Sequence, residues 1–223
     1  MKRMARVLMI TLSLLAARSA AATSIYTVGP GLGLAIPDNT YNGSQASMVC
    51  STLNVASEPG LDTISGPVRV VVRMEHTFVG DLTIKLFGPT QSFALVSRPG
   101  VLETADDGND TAGFGENSNL NLGHALSYQM AAPTESEQMG KVPSDHGTAD
   151  EICVFPGSPC DYNPDNGSST LGEDLATLVG SSKVGSWVLC VGDSAGGDTG
   201  NLDGWQLDFG TVTPVELTGI SVE

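Results

Sequence analysis

Gly185-Ser186-Trp187-Val188-Leu189-Cys190-Val191-Gly192-Asp193, followed across a Gly/Asp-rich turn by Gly200-Asn201-Leu202-Asp203-Gly204-Trp205-Gln206-Leu207-Asp208-Phe209, decides the reading of this chain. Both stretches place apolar residues in short runs that stop at glycine and aspartate, the pattern of β-strands joined by turns. Working outward, Val68 to Met74 sets apolar residues against Arg69 and Arg73, with Val71 breaking strict alternation, as in a strand buried mainly on one face. Leu82, Ile84 and Leu86 alternate with Thr83 and Lys85, which predicts a half-solvated antiparallel strand. Ala46 to Val55 and Phe93 to Ser97 read as further strands, and Asn121 to Tyr128 as a candidate one. Leu171 to Gly180 has room for a helical turn, and Glu103 to Asn119 and Ala131 to Asp150 read as long polar loops. Short strands with polar turns and little helix predict an all-β fold, an antiparallel β-sandwich whose two sheets share one core. Trp187 and Trp205 are expected to anchor that core, since aromatic rings bury the most area.

The 223 residues include 27 Gly and 12 Pro, with only 5% aromatic residues, a composition of many turns. Residues 1–22 read as a secretory signal peptide: Lys2, Arg3 and Arg6 precede an apolar run from Val7 to Ala17, and Ala20 to Ala22 offers a cleavage site. An uncleaved anchor is the alternative, but the run is shorter than the roughly 20 residues a spanning helix needs. Residues 23–35 form a lead-in, 36–210 one domain, and 211–223 a tail or linker stub. Without residues 1–22, six basic residues face 25 acidic ones, a net charge of −19. Such a surface excludes nucleic acid, whose phosphates need Lys and Arg, and anionic membranes. It favours solubility and hard cations. The expected location is secreted, extracellular or periplasmic.

Cys50, Cys153, Cys160 and Cys190 make an even set in an exported chain, which favours disulfides. Of three possible pairings, Cys153–Cys160 with Cys50–Cys190 is favoured. Zinc competes weakly, with no Cys-x-x-Cys and scattered histidines. The acidic clusters are candidate calcium ligands: Asp106, Asp107, Asn109 and Asp110 in one loop; Asp161, Asn163 and Asp165 in another; Asp193 and Asp198 around a turn. The bland alternative is a solvated turn in which Asp bonds its own backbone. Asp81 is expected to cap a turn or to meet Arg73 or Arg69, and His76 to hydrogen-bond within the structure.

Ile36-Pro37-Asp38-Asn39, His76-Thr77, Gly80-Asp81-Leu82, Tyr162-Asn163-Pro164-Asp165 with Leu178-Val179-Gly180, and Gly185 to Leu207 occur in an order and spacing that resembles the P domain (P/Homo B domain) of subtilisin/kexin-like proprotein convertases. The likeness spans about Ile36 to Gly210 and is loose from Glu103 to Cys160. It implies a jelly-roll sandwich, galactose-binding-like, that stabilises or regulates a serine-type endopeptidase. The chain departs from the family where Thr90-Gln91-Ser92 follows Gly88-Pro89. His146-Gly147-Thr148, Asp198-Thr199-Gly200 and Met130-Ala131-Ala132-Pro133 look like subtilisin signatures, but Gln129 stands where a nucleophile is required, and the order is reversed. No catalytic residue is therefore assigned. The expected function is a non-catalytic P domain partnered with a separate secreted protease. The alternative is a calcium-dependent adhesion module for a surface protein or a glycan, with Phe114, Tyr128 and Tyr162 as candidate aromatic platforms.

Overall fold

The computed structural model describes residues 25–108, 115–141, 151–153 and 160–210. Among the described residues, ten strands run in chain order: β1 (Ile25–Val28), β2 (Leu34–Ala35), β3 (Val49–Val55), β4 (Arg69–His76), β5 (Leu82–Phe87), β6 (Ser92–Ser97), β7 (Leu126–Gln129), β8 (Cys160–Tyr162), β9 (Gly185–Asp193) and β10 (Gly200–Asp208). They form two sheets, and the helical segments are short 3-10 turns. One sheet is ordered β1-β10-β4-β7-β8, with β2 also on β10; the other is ordered β3-β9-β5-β6. Among the described residues these strands pair antiparallel except β7 with β8. The fold is the expected all-β sandwich.

Alternation places the core. Along β4, Val70, Val72, Met74 and His76 point inward while Arg73 is exposed. Each fully buried Val or Met contributes about 1.5–3 kcal/mol of apolar transfer. On β10, Leu202, Trp205 and Leu207 are all buried, although strict period two cannot bring 202 and 205 to one face. The register shifts between Leu202 and Gly204, leaving Asp203 as the extra residue of a bulge. A Cβ on Gly204 would stand 2.8 Å from the Val28 carbonyl oxygen, so β1 can lie close only on a glycine.

Both tryptophans anchor the core. Trp187 is fully buried, packs 5.3 Å from Phe209, and donates its indole N–H to the Lys183 carbonyl at 2.8 Å. Trp205 on one sheet donates to Ser51 Oγ on the other at 3.0 Å. Cys50 and Cys190 are cross-strand partners on β3 and β9 and are bonded, as are Cys153 and Cys160.

The structure departs from the strand expectations at β3, which starts at Val49 after a 3-10 turn over Gln45–Ser47, and at five other strands. β5 is not half-solvated: Thr83 and Lys85 are buried, because chain segments around Tyr41 and Asp106 lie over the outer face. β7 is shorter than expected, starting at Leu126. β1 and β2 lie in the lead-in and pair with β10. β8, in the loosely matching stretch, adds the parallel edge. The helical turn near residue 175 is present, as a 3-10 segment over Leu175–Leu178.

Candidate functional site

The turns after β4, β6 and β9 meet at one end of the sandwich, where they line a cleft of about 660 Å³. Its wall includes Asp81 from the 3-10 turn before β5, Arg98 after β6, Asp107 from the following loop, and Ser194 and Asp198 from the turn after β9. The sequence separates these residues widely; antiparallel topology gathers them.

Beneath the cleft lies a buried acid–imidazole pair. His76 Nε2 is 3.1 Å from Asp193 Oδ2, and both side chains are inaccessible to solvent. Asp193 Oδ1 accepts the Ala195 N–H at 3.0 Å, and its carbonyl accepts the N–H groups of Thr40 and Tyr41. His76 Nδ1 lies 2.8 Å from the Phe78 carbonyl. The expected structural role of His76 is what the geometry gives. Among the described residues no hydrogen bond joins a serine hydroxyl to a histidine nitrogen, so a Ser-His relay of the kind nucleophilic hydrolysis needs is not assembled there. Asp198 accepts a hydrogen bond from Thr77 Oγ1 at 2.8 Å. His146 lies outside the described residues.

Asp81 does not meet either arginine expected for it. Arg69 bonds Asp161 at 3.2 Å and Arg73 bonds Asp203 at 2.8 Å on the opposite sheet. Asp81 is 3% exposed, and its carboxyl is pushed up to about 6. Burial is the main cause, repulsion from Asp193 adds to it, Arg98 opposes it, and Asp198 contributes further. Arg98 is itself 3% exposed, and its Nε and Nη1 lack a hydrogen-bond partner; so does Ser194 Oγ.

A second network pins the loops beside the cleft. Lys85 Nζ, on the covered face of β5, donates to Asp106 Oδ2 at 2.6 Å and to the Tyr41 hydroxyl, which donates to Asp106 Oδ1. Burial first, and the Asp106 carboxylate second, hold the Tyr41 hydroxyl far above its ordinary value. The Tyr41 ring rests on Gly192, where a Cβ would stand 2.5 Å from Cδ2. Lys85 is thus a neutralised buried cation, a role its apolar strand neighbours hint at but its spacing does not reveal.

A third group of acids lines a shallow groove near β6. Glu137 Oε1 accepts the Ser97 N–H at 2.8 Å, and Glu103 Oε2 accepts Ser97 Oγ at 2.6 Å. Burial pushes the Glu137 carboxyl up to about 8; the Ser97 N–H opposes this, and Asp165 and Glu103 reinforce it. Glu103 is also raised, mainly by burial. None of this could be read from local sequence, since Glu103 and Glu137 sit in stretches read as loop.

The acids proposed for calcium are distributed as follows. Asp106 is held by Lys85 and Tyr41, Asp161 by Arg69, and Asp193 by His76. Asn163 donates to Glu135, and Asp165 Oδ1 accepts the Gly167 N–H in an Asx turn. Asn109 and Asp110 lie outside the described residues. Among the described residues no three His, Cys, Asp or Glu side chains converge closely enough to hold a metal ion. Of the aromatic platforms, Tyr128 and Tyr162 are fully buried core residues rather than exposed ones, and Phe114 lies outside the described residues.

No family model matches the chain, and no curated protein matches it. Among solved structures, the serine protease of Aeromonas sobria is similar at 15% identity and a TM-score of 0.41, over 84% of this chain and 26% of that one. The same protease in complex with its chaperone gives 16% identity and a TM-score of 0.40 over the same shares. This chain thus spans about a quarter of that protein's length. No described helix is long and apolar enough to cross a membrane.

Proposed function

We propose that this chain is an exported, non-catalytic P/Homo B-type sandwich that associates with a secreted subtilisin-like protease and stabilises or regulates it. The observation that carries the reading is the placement of the ordered motifs. His76-Thr77 closes β4, Gly80-Asp81-Leu82 opens β5, and the Gly185 and Gly200 stretches form β9 and β10. His76 and Asp193 from two of these motifs form one buried pair. Both side chains are sealed from solvent, which supports a structural role for this pair. The pair of disulfides suits an oxidising compartment.

The test has two arms. Purified protein is incubated with fluorogenic dibasic peptides and with casein, and no turnover is expected; turnover abolished by serine-directed reagents would overturn the non-catalytic part. A secreted subtilisin-like protease from the same source is then heated with and without the chain. A later inactivation in its presence supports the association, and identical inactivation curves together with no co-elution refute it. The glycan-binding alternative loses Tyr128 and Tyr162 to the core, and a glycan array probed with and without calcium checks it.

A further inference from the structure

We propose that the free edge of β3 is an interaction surface for a second copy of this chain, the two β3 strands pairing antiparallel about a two-fold axis at Thr52. β3 is an outer strand of its sheet and is bonded to β9 on one side. Cys50 and Cys190 stand directly opposite each other with Cα atoms 4.1 Å apart, the close spacing of a non-hydrogen-bonded antiparallel pair. The backbone N–H and C=O of Cys50 therefore point away from β9, and by alternation so do those of Thr52 and Asn54. Among the described residues none of these outward groups has a hydrogen-bond partner, and Thr52 and Asn54 are exposed.

An open row of donors and acceptors is a template for another strand. Natural sheets blunt it with charge, proline, a bulge or a covering segment. β3 has none of these. Its register with β9 is unbroken, and the sequence from Asn39 to Ser57 holds no Asp, Glu, Lys, Arg, His or Pro. The opposite edge of the same sheet is covered: Ala94 on β6 donates to the Gly172 carbonyl at 2.9 Å, and Gly172 donates to the Ser92 carbonyl at 3.2 Å. On the other sheet, β8 has three residues and carries Asp161, while β1, which runs beside β3, has four residues and adds no charge to this flank. With seven residues, β3 is the longest open edge among the described residues.

Charge and register name the occupant. The chain has a formal net charge of −15, so two copies repel each other over most of their surfaces. They can approach where charge is missing, and β3 with its preceding segment is such a place. A charged partner strand would find no counter-charge there. The edge is also complementary to itself. Its outward positions 50, 52 and 54 are spaced evenly about Thr52. A two-fold axis there sets Thr52 against its own copy and Cys50 against Asn54, so that each outward N–H meets a C=O. A Thr–Thr pair suits the centre of such a ladder.

The pairing does not depend on the protease association, and either can fail while the other stands. Sedimentation equilibrium of the purified protein from about 1 μM to about 1 mM is expected to show monomer and dimer in exchange. Association should tighten roughly threefold or more as salt rises from about 0.05 M to about 0.5 M, because screening weakens the repulsion between copies. Hydrogen exchange at the Thr52 and Asn54 amides should slow as the dimer fills. Thr52→Lys sets like charges face to face and should weaken association about tenfold or more. Thr52→Pro should do the same by removing an N–H that β9 does not use, and it keeps the test standing where one variant disturbs the fold. Thr170→Lys makes the same charge change at an exposed position near the covered edge and should not weaken association. A monomer at every concentration and salt, association undiminished by the β3 variants, or equal loss with Thr170→Lys would overturn the proposal. So would slow exchange at Thr52 and Asn54 that is independent of concentration, which would mean that the edge is filled within one chain. Slow exchange that appears only with an added protease would overturn it too, by giving the edge to that partner.

Discussion

Glu137→Gln should make the protein more stable at neutral and alkaline pH. Glu137 is held by the Ser97 N–H in a partly buried site shared with Glu103 and Asp165, and its carboxyl is pushed up to about 8 from an ordinary 4.5. A group with a raised folded-state value keeps its full share of stability below the unfolded value. It loses that share as pH climbs from about 4.5 to about 8. At about 1.4 kcal/mol per unit, the loss is bounded near 5 kcal/mol. Water penetration and relaxation reduce such figures, and about 2–3 kcal/mol is the reasonable expectation. Glutamine keeps an oxygen for the Ser97 N–H and cannot ionise. Wild type and variant should therefore agree within about 1 kcal/mol near pH 4 and diverge steadily to about pH 8. The variant should then melt roughly 5–10 °C higher. Urea and thermal unfolding followed by circular dichroism across that range measure it. Other carboxylates titrate in both proteins, so the difference curve isolates Glu137. A difference curve flat with pH would refute the burial argument.

Removing the cross-strand bridge with Cys50→Ser and Cys190→Ser, which frees a link between residues 140 positions apart, should cost about 2–5 kcal/mol and be visible as a lower urea midpoint. Gly192→Ala forces the Tyr41 ring off its seat, and should cost about 1–3 kcal/mol by the same assay. Excess EDTA tests the calcium proposed for the acidic loops: stripping a structural ion should lower the melting temperature, and an unchanged curve removes it. A structural ion at a hundredfold its Kd adds about 2.7 kcal/mol, so a fall of roughly 5 °C or more would show calcium bound after all.

Much of the sandwich was legible in the sequence because its central strands obey short-range rules. β4, β6, β9 and β10 show their apolar runs and turn residues locally, and the two tryptophans fall where large rings are needed. β5 misled because period two reports the pleat and not what covers it: Lys85 alternates as a solvated residue does, yet Asp106 and Tyr41 bury it. The bulge at Asp203 was invisible for a similar reason, since the extra residue is defined only against its partner strand. β1 and β2 are short, and β8 has only three residues, so pairing rather than propensity defines them.

The acids were harder to read, and the reason is topological. Grouping acids by closeness along the chain assumes that neighbours in sequence share a ligand. In this sandwich the members of each sequence cluster turn to different tasks. Asp106 neutralises Lys85 while Asp107 lines the cleft, and Asp193 holds His76 while Asp198 meets Thr77. The groupings that arise in space are instead Asp81 with Asp107 and Asp198, and Glu103 with Glu137 and Asp165. Each draws on residues from separate turns, because antiparallel strands return their ends to the same edge. The carboxyls that burial and like charge raise, Asp81 and Glu137, belong to these spatial groups. Burial raises both carboxyls most, and neighbouring acids brought from other turns add to it. The cleft around Asp81 also holds donors without partners, at Arg98 and Ser194, which no grouping of acids along the chain would have indicated.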